Sequence, residues 1–407
     1  MKSLKQIFFI VVVFVLSIPI LHIQAQTEVD ERAFLEVKDA ISIKKDDQFL
    51  LNLRFRMQNR FGFTTKSQSD FSPEQFEARV RRLRLRFDGY LLNPSFQYYI
   101  QLSFSRSDQN LDGSSRIAEV VRDAMVYYHF NENFYMGFGQ GKLPGNRQRV
   151  TSSGNLQFAD RSIVNGSLNI DRDFGFFAYY SLPLDWSEFR LKGAISTGDG
   201  RNAPASNEGL AYTGRFEWLP FGVFFKDGDF MEGDLYREPI PKLALGFTAS
   251  YNLKAVKSGG QTGSFFPDME TRNIRSLIAD MIFKYNGWSF SGEWINRYSA
   301  DPIVGPAIDP ENVFAMLIGN GVNFQMSYLN QKNLEFALRY ALVSPDDQIE
   351  SYMPKREEML FGMTKYLNRH KVKLQSHVGY YTYQIPEGGI DSQPNHFVFM
   401  FQLEFGI

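Results

Sequence analysis

Arg82, Arg84 and Arg86 stand at every second position of the run R-V-R-R-L-R-L-R-F, which spans Arg79 to Phe87. Leu83, Leu85 and Phe87 fill the gaps. A guanidinium stays charged at physiological pH and presents forked donors that match phosphate or carboxylate. Successive side chains of an extended strand point to opposite faces, so the run lays three cations on one face and three apolar groups on the other. Cations about 7 Å apart along a strand repel one another and call for anions or carboxylates between them. The pattern recurs at Arg54 and Arg56 among Leu53, Phe55 and Met57, and at Arg190 and Lys192 around Leu191. Lys142, Arg147, Arg149 and Arg161 add charge in and beside one long polar stretch. Together these residues offer anion recognition, since rows of Arg and Lys are how pores select anions. Asp88, Asp123, Glu217, Glu293 and Glu335 lie on neighbouring segments; paired with the cations, they would leave an unselective face.

Other chemistries find little support. The histidines are His22, His129, His370, His377 and His396, with no HExxH and no cysteine, so zinc spacing is absent. Ser376 and His377 are adjacent, but neighbours on a strand face opposite ways and cannot form a dyad. Asp227, Asp229, Glu232 and Asp234 carry oxygens that calcium accepts, yet their spacing fits no calcium loop and reads as a solvated turn. No cofactor, no metal and no enzymatic activity are expected. The net charge is −1 over 407 residues, which argues against a nucleic-acid partner.

The elements that must position the cations follow from rhythm. A soluble sandwich would tolerate an alternating strand with its core inside, whereas a membrane barrel would turn the apolar face to lipid and the arginines to a wet lumen. Lys2 and Lys5 precede an apolar run from Ile7 to Leu21, and Ala25 closes a cleavage-like site. Residues 1–25 therefore read as a secretory leader, the run being short for a spanning helix. No later run is long and apolar. Alternation recurs instead at Leu51–Met57, Phe96–Phe104, Phe189–Ser196, Leu243–Asn252, Val372–Tyr380 and Phe397–Phe405. With less regular segments this gives about sixteen strands, most long enough to cross a bilayer obliquely.

The connections sharpen the choice. Short turns at Asn93-Pro94, Asn131–Asn133, Asn286-Gly287, Asn330–Asn333 and Asn368-Arg369 alternate with long loops. These loops are Gly62–Ala78, Ser107–Arg116, Pro144–Asp173, Gly198–Gly209, Leu253–Ile274, Ser299–Gly319, Ser344–Glu357 and Thr382–Asn395. Short periplasmic turns and long extracellular loops are the arrangement of a transmembrane antiparallel β-barrel. The expected organisation is a leader (1–25), a periplasmic N-terminal segment (26–48) and a barrel (49–407), placed in a bacterial outer membrane against lipid and lipopolysaccharide. Leu219–Lys242 breaks the rule: either it is a structured periplasmic excursion or the strand count fails there. Pro144–Asp173 is too apolar for a loop in water, with Leu156, Phe158, Ile163, Val164, Leu168 and Ile170. It is expected to fold into the barrel and narrow it, the alternative being a loop packed over the rim or against a neighbouring subunit.

Three runs carry a resemblance: G-F-G-Q-G-K-L-P (Gly137–Pro144), T-S-S-G-N-L-Q-F-A-D-R-S-I-V-N (Thr151–Asn165) and D-R-D-F-G (Asp171–Gly175). With the Arg-rich strand and its F-D-G-Y, they resemble the phosphate-selective porin family, porins O and P. The blocks Y-T-G-R-F-E-W-L-P-F-G and G-D-L-Y-R-E-P-I-P-K-L are similar to Bacteroidetes members. The resemblance implies a sixteen-stranded barrel, a homotrimer, and passive diffusion of small anions. Two positions depart from it: Gly141 stands where a bulky residue is common, and Phe405 is followed by Gly406 and Ile407. An outer-membrane binding or scaffold barrel without transport is the rival reading, and a barrel enzyme a more distant one.

Overall fold

The structure is a computed structural model that describes residues 34–37, 40–109, 119–203, 209–304, 313–384 and 394–407. The expected leader lies outside the described residues. Strands β1 (Phe34–Val37) and β2 (Ile41–Lys45) form a hairpin, and β2 pairs with the first residues of β3 (Phe49–Thr65). The chain continues through β4 (Pro73–Leu91), β5 (Phe96–Ser103), β6 (Val121–His129), β7 (Phe134–Lys142), β8 (Arg172–Pro183), β9 (Glu188–Ser196) and β10 (Ala211–Leu219). Then come β11 (Lys242–Ala255), β12 (Arg272–Tyr285), β13 (Trp288–Tyr298) and the two-residue pair β14 (Ile303–Val304) and β15 (Phe314–Ala315). The last five are β16 (Gly319–Leu329), β17 (Leu334–Pro345), β18 (Lys355–Asn368), β19 (Val372–Gln384) and β20 (His396–Gly406).

Sixteen of these strands, β3–β13 and β16–β20, pair antiparallel with their neighbours in a ring. The ring closes where β20 meets β3, from Val398↔Thr64 to Gly406↔Arg56. Closure leaves no edge, so every strand finds backbone partners within the sheet, as a bilayer requires. Phe63 stacks on Phe399 at 4.8 Å on the outer side of the seam, and Phe55 meets Phe405 at 5.8 Å. The terminal Ile407 amide donates to the Phe55 carbonyl, so Gly406 and Ile407 continue the seam beyond Phe405.

Alternation sorts the faces as read from the sequence. Phe176, Ile195, Tyr212 and Tyr251 lie in one exposed row across β8–β11, while Ser196, Thr213 and Ser250 on the opposite face are buried. Exposed rings in such numbers suit lipid and not water. No helix among the described residues is long and apolar enough to cross a membrane; the crossing is made by strands.

The rims differ as expected. Turns 92–95, 130–133, 184–187, 286–287, 330–333 and 369–371 are tight. Asn286 (φ 45°) and Gly287 (φ 89°) take the left-handed conformations of a two-residue hairpin turn. One long loop shrinks: where Gly62–Ala78 was expected, β3 and β4 run on to Thr65 and back from Pro73, leaving only 66–72. A bulge opposite Gln58/Asn59 takes up one extra residue of β4 there. It turns both Arg81 and Arg82 inward, to 3.5 and 3.4 Å from Asp160, where strict alternation would have faced Arg81 to lipid.

Candidate functional site

The lumen is not empty. Loop 143–171 enters from the extracellular rim and carries two short helices, α1 (Arg147–Val150) and α2 (Ile163–Leu168). Ser162 caps α2 by accepting from the Asn165 amide. Val164 and Leu168 pack with Leu143 and Ile170 against Ile278, Ile295, Ala341 and Val343 of the barrel wall. Phe158 lies against Gly362, where a Cβ would approach its ring to 2.6 Å, and Arg339 sits 4.4 Å over that ring. The apolar residues that were out of place for a loop in water thus form a core inside the barrel.

Connection 220–241 enters from the opposite rim. The strand count holds around it, and the segment is an inward fold instead of a periplasmic excursion. It meets loop 143–171 directly. The Glu232 amide donates to the Asn155 carbonyl at 2.9 Å. The Glu232 carboxylate accepts from the Gln157 amide at 2.8 Å and from the Gln148 side chain at 2.9 Å. Lys284 of β12 donates to the carbonyls of Gly228 and Gly233. The acidic cluster read as a solvated turn therefore holds two lumen segments together. Among the described residues no group of three His, Cys, Asp or Glu is arranged to hold a metal.

Beside these segments lies a cavity of about 640 Å³ along β3–β8. Strands β3 and β4 supply Arg54, Arg56, Arg84 and Arg86. The neighbouring strands and loop 143–171 add Arg122, Lys142, Arg149, Arg161 and Arg172. Lys226, Arg369 and Lys371 complete twelve cationic side chains among the described residues, against the side-chain carboxylates of Asp123 and Glu404. Asp88, Asp108 and Asp171 stand behind the first row and still leave positive charge in excess.

The sequence-predicted residues divide into two sets. Seven line the cavity: Arg54, Arg56, Arg84, Arg86, Lys142, Arg149 and Arg161. Arg54 and Arg86 share Asp88, the latter at 2.8 Å. Arg56 donates to Ser153 at 2.8 Å and Ser152 at 3.1 Å. Arg84 donates to Asp108 at 2.8 Å and Ser153 at 3.0 Å. Lys142 donates to the Val150 carbonyl at 2.6 Å, Arg149 to Asp171 at 2.8 Å, and Arg161 to the carbonyls of Gln148 and Thr151 at 2.7 Å each. The other four do not reach that lining. Arg82 is buried between Gln58, at 2.7 Å, and Asp160. Arg147, Arg190 and Lys192 belong to a buried ion-pair cluster beneath connection 220–241. There Arg147 meets Asp280 at 3.0 Å, Arg190 meets Asp229 at 2.7 Å and Lys192 meets Glu217 at 2.6 Å. Arg215 ties the cluster together at 2.7 Å from both Asp280 and Glu217. These cations anchor the lumen segments to the wall.

Sequence reading missed five lining cations. Arg122 was hidden by the bulge at Gln101/Leu102, which turns it inward beside Asp123. Lys226 is presented by a kink with φ 50°, and Arg369 and Lys371 sit in a turn. Arg172 opens β8 in the run D-R-D, and only its 2.8 Å contact with Asp123 across the sheet shows its direction. Electrostatics holds Asp108 ionised. Burial alone would raise the Asp108 carboxyl, but Arg84, Arg122 and Arg82 hold it far below the usual carboxylate range. Ser376 pairs across from Met363 of the outer face and His377 across from Gly362 beneath Phe158, so they do not meet as a dyad.

The model of the family described as phosphate-selective porin O and P matches residues 51–221. No curated protein matches the chain by sequence. Among solved structures, OmpF of Salmonella typhi in complex with daunomycin is similar at a TM-score of 0.55 and 13% identity, over 90% of this chain and all of that one. An anion-selective porin from Comamonas acidovorans is similar at 0.53 and 12%, over 88% and 99%. The outer membrane channel DcaP of Acinetobacter baumannii is similar at 0.51 and 12%, over 87% and 97%. These likenesses are of fold. The closed sixteen-strand barrel, with lipid-suited rings outside and ion pairs within, has the fold of outer-membrane porins, and its residues 51–221 match the model of the phosphate-selective porins O and P.

Proposed function

We propose that this porin passes small anions in preference to cations, by diffusion and without covalent chemistry. The carrying observation is the cavity lined by twelve cationic side chains and two side-chain carboxylates. A low-dielectric wall focuses such a field and concentrates anions at the opening. Phosphate suits the forked donors of Arg54, Arg56 and Arg86. The family's description and the name of the anion-selective Comamonas acidovorans porin support the same reading. Homotrimeric assembly, removal of residues 1–25 and a periplasmic place for residues 26–48 belong to the proposal as well, the trimer on family resemblance.

The test is reversal potential under a salt gradient in planar bilayers. The unaltered protein should show anion preference. Replacing Arg54, Arg56 and Arg86 together by Gln should bring the reversal potential towards zero. An unchanged potential in the triple variant would reject the assigned residues, and cation preference in the unaltered protein would reject the function.

A further inference from the structure

The cavity has a second kind of lining that anion transfer does not use. Tyr99, Tyr127 and Tyr179 reach it from β5, β6 and β8, with Met125 beside them. Tyr127 and Tyr179 lie 6.4 Å apart, and Tyr135 stacks on Tyr179 at 4.5 Å behind them. Strand β7 makes room for this wall with glycine. A Cβ on Gly137 would come within 2.9 Å of the Tyr127 ring, and one on Gly141 within 2.9 Å of the Met125 sulfur. Gly141, the departure from the family pattern, is thus where Met125 lies down. Arg86 joins the two linings, with its guanidinium 4.7 Å over the Tyr99 ring.

A ring face is partly negative and offers nothing to a bare inorganic anion. It does offer stacking to a flat apolar body, while the adjoining guanidinium takes a carboxylate. We propose that the cavity binds organic anions with a planar ring, of the aromatic carboxylate class. The carboxylate meets Arg86 and Arg54, and the ring lies along Tyr127 and Tyr179. The inference rests on the anion-channel reading and narrows its solute class.

The full-length protein in planar bilayers tests it with two probes of equal charge, benzoate and acetate. The readout is the concentration of each that halves the single-channel chloride current. Benzoate should do so at a concentration roughly tenfold lower, the effect expected of one or two added ring contacts. The double variant Tyr127→Phe/Tyr179→Phe should keep that ratio, and Tyr127→Leu/Tyr179→Leu should bring it close to one. Equal half-block concentrations in the unaltered protein overturn the inference, as does a Leu variant that keeps the full ratio. The comparison in unaltered protein decides alone if the Leu variant fails to assemble. Reversal potential in the same membranes separates the two readings: cation preference defeats the channel assignment, whereas anion preference with equal half-block concentrations defeats only the ring site.

Discussion

Each arginine of the early strands does a different job, although all look alike in sequence. Arg86 and Arg54 share one carboxylate at the cavity, Arg84 is tied back to Asp108, and Arg82 is buried against Gln58 and Asp160. Asp108 is the counter-charge of both Arg84 and Arg122. Its ionised form is favoured by folding, so it contributes fully to stability above the ordinary carboxylate range of about 4 and loses that contribution only as pH falls towards its depressed value. Asp108→Asn should therefore lower thermal stability by a margin that stays constant from neutral pH down to about 4. It should narrow only in stronger acid, and thermal unfolding in detergent across that range reads the margin. Neutralising Asp108 should also strengthen anion preference, because Arg84 and Arg122 lose a counter-charge 2.8 and 3.1 Å away.

Two elements fill the lumen and are expected to set the width of the path. Loop 143–171 and connection 220–241 hold each other through Glu232, Gln148 and Gln157, and both are pinned by the cluster around Arg147, Arg215 and Asp280. Cutting connection 220–241 down to a short Asn-Gly turn removes Glu232 and Asp229 together. Gln157, Arg147 and Lys284 each lose a partner in that connection, Lys284 the carbonyls of Gly228 and Gly233. Single-channel conductance in concentrated KCl should rise over the unaltered protein, because one of the two segments that fill an otherwise wide sixteen-strand bore is gone while loop 143–171 stays on the wall. Unchanged conductance would show that the connection does not limit the path.

The whole molecule depends on closure. Nine residue pairs join β20 to β3, and aromatic stacks on the outer face brace that seam. An open sheet of this size would expose unpaired backbone groups to hydrocarbon, each at a cost of several kcal/mol. Removing residues 396–407 should therefore leave no folded barrel instead of a slightly weaker one. Circular dichroism in detergent and resistance to protease would both be lost, whereas survival of either would show that fifteen strands close without β20.

The architecture was legible in the sequence because its signals are local. A period of two sets which side chains face lipid, and a short turn or a long loop is written in the residues that make it, as Asn286-Gly287 shows. The apolar residues of loop 143–171 announced that it could not stand in water. The site was legible only in part. Alternation placed Arg54, Arg56, Arg84 and Arg86 inward, but it could not say that Arg147, Arg190 and Lys192 would be consumed by Asp280, Asp229 and Glu217. Those partners lie far apart in the chain and meet only when the ring closes. Nor could it place Arg81, Arg122 or Lys226, since bulges and a kinked turn override the period that the prediction used. Periodicity alone fixes which face a residue takes; which charge stands opposite is a matter of distance, and only the closed barrel with its two inserted segments sets distance.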